Sequence, residues 1–287
     1  MLPKRQHWVP KLLLRNFTEF PSQDDPPLQV YDLNSGKVFK TSIKNVAQET
    51  HFYNTQEPGA RRDTLEPWLS SNVEGPAGSA IERLVRARSV LGMSDEEKVS
   101  LARFVATLAV RGQRERHEIE EEPRELLDFF DSHGETLTDE LRQAIEAKAD
   151  AVAIHNDIIE DVAELAPTMA KMSWRLGRPP AGRNFCSSDN PVLRFNVLAA
   201  EPYGNLGLIS RGIQLHLALS PELMLALVDP TTYGPSSDEA KLLSEHDLLA
   251  YNAALAAEAS RHLFALSSND FDVRPDMRDG RRRIVIG

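Results

Sequence analysis

A single cysteine, Cys186, occurs in 287 residues. That rules out an internal disulfide and any cysteine-based zinc cluster, and it fits a reducing compartment, so a cytoplasmic location is expected. No apolar run approaches the roughly 20 residues that a membrane span requires; the longest are broken by charge or proline. The first stretch carries Lys4, Arg5, Lys11 and Arg15 among its apolar residues and lacks a small-residue cleavage site, so it does not read as a signal peptide. A soluble protein with no membrane partner is expected. Positive charge is also short: 33 Lys and Arg against 43 Asp and Glu leave a formal charge of −10. Such a balance opposes nonspecific attraction to a polyphosphate, so nucleic acid could be held only through local basic patches. Three patches are present: Arg83, Arg86 and Arg88; Arg111, Arg114 and Arg116; and Arg281 to Arg283. Solvated helix surface and a charged tail explain them as simply.

Familiar catalytic motifs are absent as well. There is no phosphate-binding Gly-rich loop, no dinucleotide fingerprint, no His-Glu-x-x-His and no Gly-x-Ser-x-Gly elbow. Glu146-Ala-Lys148 and Glu239-Ala-Lys241 fall on expected helices, which disfavours the strand-borne carboxylate and lysine array of restriction-type nucleases.

What remains is an ordinary globular composition, 41% hydrophobic and 26% charged, with no disordered or repetitive segment. The pattern reads as one elaborated α+β domain over residues 1–287: an N-terminal β-hairpin, a central helical bundle at about 61–170, and a mostly antiparallel C-terminal sheet at about 172–267 under a long covering helix. Leu28 to Leu33 and Lys37 to Lys40 are β-type runs joined by Asn34-Ser35-Gly36, which is turn chemistry. Ser42 to Tyr53 reads as a helical turn and an extended piece. Ser94-Asp95-Glu96-Glu97 is a capping box before a helix to Val110. Glu118 to Glu122 reads as an acidic bend that Pro123 ends, opening a short helix over Arg124 to His133. A longer helix is expected from Thr138 to about Leu165. From Met172 the periodicity changes, and Ser173 to Leu176, Asn184 to Ser188, Val192 to Val197, Ile213 to Leu219 and Leu223 to Val228 read as strands. A last helix is expected over Ser237 to His262, then a strand at Leu263 to Leu266.

Gln6-His7-Trp8-Val9-Pro10, followed by Leu14-Arg15-Asn16-Phe17, resembles the opening signature of a bacterial family catalogued as domain of unknown function 4238. Phe52-Tyr53, Glu66, Glu74, Arg111, the stretch Phe185 to Val192 and the surroundings of Asn252 are similar to the same family. The resemblance spans nearly the whole chain and implies an identity without an activity. Trp8 stands where the family more often has tyrosine, and Gly112 where a threonine is expected. Both departures remove a side-chain hydroxyl.

Three groups could carry chemistry. His7, beside Gln6, suits a general base or metal ligand, or else fastens the N-terminal segment to the core. Ser187-Ser188-Asp189-Asn190-Pro191 ends a β-run in polar residues. There Asp189 could orient a histidine or bind a cation, with Ser188 and Asn190 hydrogen-bonding a ligand, or the group could cap its own turn. Arg111, with Arg114 further along, could fork a phosphate or carboxylate, or interact with a helix end. Glu66 and Glu74 read as caps or partners of such arginines. Cys186 reads as a buried small hydrophobe.

The leading expectation is an enzyme in which His7, Arg111 and Asp189 converge as catalytic residues and Gln6, Ser188, Asn190 and Arg114 bind substrate. Its most concrete form is a hydrolase of a phosphoester, a nuclease of bacterial conflict or phage-defence systems. The competing expectation is a non-catalytic binding or interaction module in which the same residues form a buried polar network. Cofactor, metal, substrate and oligomeric state are left open by the sequence.

Overall fold

The computed structural model describes residues 5–54, 65–134, 137–146, 151–198 and 205–271. The chain opens with β1 (Arg5–His7), α1 (Lys11–Arg15) and the hairpin β2 (Pro27–Asp32) and β3 (Lys37–Ser42). A 3-10 turn at Ile43–Asn45 leads to β4 (Gln48–Thr50). The hairpin closes because Gly36 takes φ +68°, and Asp32 accepts the amides of Asn34 and Ser35 at 2.9 and 3.0 Å.

The helical portion follows. It comprises α2 (Leu65–Leu69), a π-turn at Ser70–Glu74, α3 (Gly75–Ala87), α4 (Asp95–Leu108), α5 (Gln113–Ser132), α6 (Asp139–Glu146), α7 (Ala151–Ala163) and α8 (Ala166–Met169). Buried Ala77, Ala80, Ile81 and Leu84 form one stripe of α3. The expected capping box starts α4: the Ser94 hydroxyl accepts the Glu97 amide, and the Glu97 carboxylate accepts the Ser94 amide.

The remaining elements are β5 (Ser173–Arg178), β6 (Ser187–Ser188), β7 (Val192–Asn196), β8 (Ile213–Ser220), β9 (Leu223–Val228), α9 (Pro230–Tyr233), β10 (Ala240–Leu242), α10 (Glu245–Glu258) and β11 (His262–Ala265). Among the described residues, three sheets result. β1 pairs with β4; a five-stranded sheet runs β10-β5-β9-β8-β7; a four-stranded sheet runs β3-β2-β11-β6. All pairings are antiparallel except β10 with β5. The N-terminal hairpin therefore joins the last strand in one sheet, and helix outweighs strand in an α+β arrangement. Buried residues of the N-terminal segment, the helices and both larger sheets form one hydrophobic core.

Several local expectations differ from the structure. Pro123 lies inside α5 and opens no new helix. That helix fully buries no residue, Pro123 is half-buried within it, and ion pairs Arg114–Glu118 and Arg116–Glu120 bridge successive turns of its first half. The last helix begins at Glu245, where Ser244 and Asp247 form a second capping box. Ala240–Leu242 ahead of it pairs with β5 as an edge strand, so Lys241 is strand-borne and not helical. Of Asn184 to Ser188, only Ser187 and Ser188 pair as a strand. The helix expected over 138–165 corresponds to α6 and α7; residues 147–150, with Lys148, lie outside the described residues, as does the Arg281 to Arg283 patch. Among the described residues, no helix is long and apolar enough to cross a membrane.

Candidate functional site

β1 lies against β4 in the register Gln6↔Glu49 and His7↔Gln48, which puts the N-terminal motif over the residues that follow β4. Gln6 is buried and uses both ends of its amide. Its Nε2 donates to Asn54 Oδ1 at 3.0 Å, and its Oε1 accepts the Tyr53 amide at 2.8 Å. Arg111, three residues beyond α4, is 1% exposed and points at the same place. Its Nη2 donates to the His7 carbonyl at 2.6 Å, its Nε to the Tyr53 hydroxyl at 3.0 Å, and its Nη1 to Glu74 at 2.9 Å. The Tyr53 hydroxyl passes a hydrogen bond on to the His7 carbonyl at 3.2 Å. Burial alone would lower the Arg111 pKa, but Tyr53, Glu74 and Glu66 raise it above the ordinary arginine value.

The imidazole of His7 stands apart from that network. Burial drives its pKa down to about 4, with Lys11, Arg111 and Arg5 adding to the shift and a hydrogen bond to the Ile43 backbone opposing it. It is neutral near pH 7, and its Nε2 is buried without a hydrogen-bond partner. Glu66 is a second unsatisfied group: burial pushes it up to about 7, Glu74 adds to the shift, and Arg111 and Lys11 oppose it. Its Oε2 is likewise buried without a partner.

Asp189 is 1% exposed, and backbone amides occupy its carboxylate. Oδ1 accepts Ser260 N at 2.9 Å, while Oδ2 accepts Arg261 N and His262 N, both at 2.8 Å. Burial pushes its pKa up to about 6 against those three amides. Asp189 thus ties the polar loop after β6 to the turn between α10 and β11. The Ser188 hydroxyl accepts the Asn190 amide at 3.1 Å, and Asn190 Nδ2 donates to the Glu258 carbonyl at 3.3 Å. Only Ser188 caps the loop's own backbone; the Asp189 and Asn190 side chains serve residues 258–262 instead, which differs from a turn that caps itself.

The structure brings the His7, Arg111 and Asp189 segments together, but through groups other than the expected ones. Arg111 reaches the carbonyl of His7 and not its ring, and the link to Asp189 runs from the Trp8 indole to the Asp189 carbonyl at 3.1 Å. Arg114 ion-pairs with Glu118 at 3.0 Å and with Glu258 at the end of α10. Arg116 reaches Glu120 and the Phe52 carbonyl; Arg83 and Arg88 pair with Glu97 and Glu222. These arginines are therefore neutralised locally.

His155 of α7 is a participant that the sequence does not flag. It is buried, held at 2.8 Å from the Val110 carbonyl, packed edge-on against Phe52, and lowered to about 4 by burial. Its spacing on a helical stripe is that of a core residue. Cys186 is buried, with Sγ 3.3 Å from the Asp270 carbonyl. Among the described residues, no group of three or more His, Cys, Asp or Glu is placed to hold a metal ion.

No curated protein and no solved structure matches the chain. A family model described as a protein of unknown function, DUF4238, matches residues 5–269, nearly the whole length, and the chain belongs to that family.

Proposed function

We propose that this protein is a non-catalytic ligand-binding or protein-interaction module in which Gln6, His7, Arg111, Asp189 and Asn190 form a structural polar network. The observation that carries this reading is the occupation of Arg111 and Asp189. All three guanidinium nitrogens donate to Tyr53, Glu74 or the His7 backbone, and both carboxylate oxygens of Asp189 accept backbone amides. Each of the two groups is 1% exposed and commits every heteroatom to the fold, so a substrate anion or a base has no open side from which to reach it. The test is thermal denaturation of Arg111→Ala. Breaking a buried pair costs about 3–5 kcal/mol, so the melting temperature should fall by roughly 10 °C. An unchanged or raised melting temperature contradicts the reading.

One observation favours a second reading, hydrolysis of a phosphoester by a nuclease of bacterial conflict or phage defence. Glu66, raised to about 7, and neutral His7 each keep a buried atom unpartnered, and Lys11 acts electrostatically on both. In that reading His7 takes a proton from attacking water, Glu66 returns one to the leaving oxygen, and Lys11 attracts the phosphate. Glu66→Gln separates the two readings: it should abolish turnover of a phosphodiester substrate if the second holds. Absence of turnover in the unaltered protein removes it.

A further inference from the structure

The five-stranded sheet carries polar residues that the family-signature network does not use. β8 is buried throughout, yet on one face it presents Gln214 and His216, each 1% exposed. The register places Arg175 of β5 across from Ala226 of β9, which in turn lies across from His216. A methyl group thus sits between a guanidinium and an imidazole. In the next row Gly177 lies opposite Met224, and a Cβ added at Gly177 would come within 3.0 Å of Met224 Cε. These small residues leave a cavity of about 270 Å³ over the sheet, walled on its apolar side by Met224, Val228 and Leu243.

Its polar lining is incompletely satisfied. The Gln214 Oε1 lies 2.9 Å from His216 Nε2, so the imidazole donates from Nε2 and presents Nδ1 as an acceptor. Nδ1 of His216, Nε2 of Gln214 and Nε of Arg175 are all buried without a partner. Burial holds the His216 pKa down to about 4, which keeps the ring neutral and that lone pair available. Arg175, whose Nη2 donates to the Tyr233 carbonyl, and the exposed Lys241 also line the cavity, and among the described residues no Asp or Glu does. In a chain of net charge −10, such a lining selects for an anion.

We infer that this cavity binds a small hydroxycarboxylate, its carboxylate facing Arg175 and Lys241 and its hydroxyl donating to His216 Nδ1. Two cations repel the ammonium of an amino acid. An acceptor oxygen of the same ligand satisfies Gln214 Nε2. The inference is independent of the role assigned to Arg111 and Asp189.

Isothermal calorimetry on the full chain tests it, with glycolate and lactate as probes and acetate and inorganic phosphate as comparators. Glycolate or lactate should bind, and acetate, which lacks the hydroxyl, at least about 10-fold more weakly because His216 Nδ1 stays unpaired. Lys241→Ala, at an exposed position, should weaken binding several-fold, and Ala226→Val should abolish it by filling the floor. Gln214→Leu/His216→Leu should also abolish binding while raising the melting temperature, since unsatisfied polar groups are removed. No heat with either hydroxy acid, binding of phosphate alone, or binding indifferent to Lys241→Ala and Ala226→Val would overturn the inference.

Discussion

The Arg111 guanidinium donates to the backbone carbonyl of His7 at 2.6 Å, across 104 positions of sequence. A charged side chain buried to 1% exposure is here spent on main chain, and the chain end it holds is the one bearing the family's opening motif. A backbone carbonyl is present whatever the side chain at position 7. The contact therefore explains a need for arginine at 111 and not for histidine at 7.

Arg111→Lys should be destabilising although the charge is kept. An ammonium cannot serve Tyr53, Glu74 and the His7 carbonyl with the planar fork that reaches all three. The expected loss is of the order of 2 kcal/mol, since two hydrogen bonds to a charged donor are forfeited and their acceptors stay buried. Urea denaturation with an unchanged m-value reads this directly; stability equal to the parent's contradicts it.

Three buried histidines set the acid response. His7, His155 and His216 each have a folded pKa of about 4 against an unfolded value near 6.5, so the unfolded chain binds more protons between those values. Their stabilising effect is complete above about pH 6.5 and is lost as pH falls toward 4. Glu66 and Asp189, raised to about 7 and about 6, act in the opposite sense, releasing protons on unfolding in the same window. His262, lowered by burial, joins the first set and Glu115, raised by burial, the second, so four groups against three leave a net uptake of about one proton, a slope of roughly 1.4 kcal/mol per pH unit. Stability measured at pH 5 and pH 6 should rise by about that amount; a flat or falling profile contradicts it.

Cys186 is 1% exposed and contacts the Asp270 carbonyl. Its reaction with a thiol reagent should be slow in native buffer and become fast in denaturant, tracking unfolding. Immediate native labelling would show that the strand region around β6 opens easily.

Some of this was legible in the sequence and some was not. Asn34-Ser35-Gly36 fixed a turn because only a few residues accept a positive φ, and Ser94 with Glu97 fixed a helix start because both side chains serve orphan amides. Pro123 misled because a helix can run through a proline when ion pairs between its turns and packing against neighbouring helices hold it, as α5 is held against α6 and α7. Ala240 to Leu242 misled because the capping box that begins the last helix lies further on, at Ser244, leaving those residues to pair with β5. For the site, the polar segments were identifiable, but which atom of each would be used was not. That the His7 carbonyl, and not its ring, takes Arg111 depends on the β1–β4 register, a long-range pairing that no local pattern encodes. The sheet cavity was equally hidden, because it arises from Gly177 and Ala226 lying diagonally on neighbouring strands, in adjacent rows of the sheet, among larger residues.

Urea denaturation of Asp189→Ala tests the structural reading most directly. The substitution removes a buried carboxylate that accepts the amides of Ser260, Arg261 and His262 in a part-buried turn. The expected loss is about 3 kcal/mol or more, with the m-value unchanged, because three hydrogen bonds to a charged acceptor are lost at about 1.5–3 kcal/mol each. A variant as stable as the parent, or more stable, would contradict the account and return Asp189 to the role of a functional carboxylate.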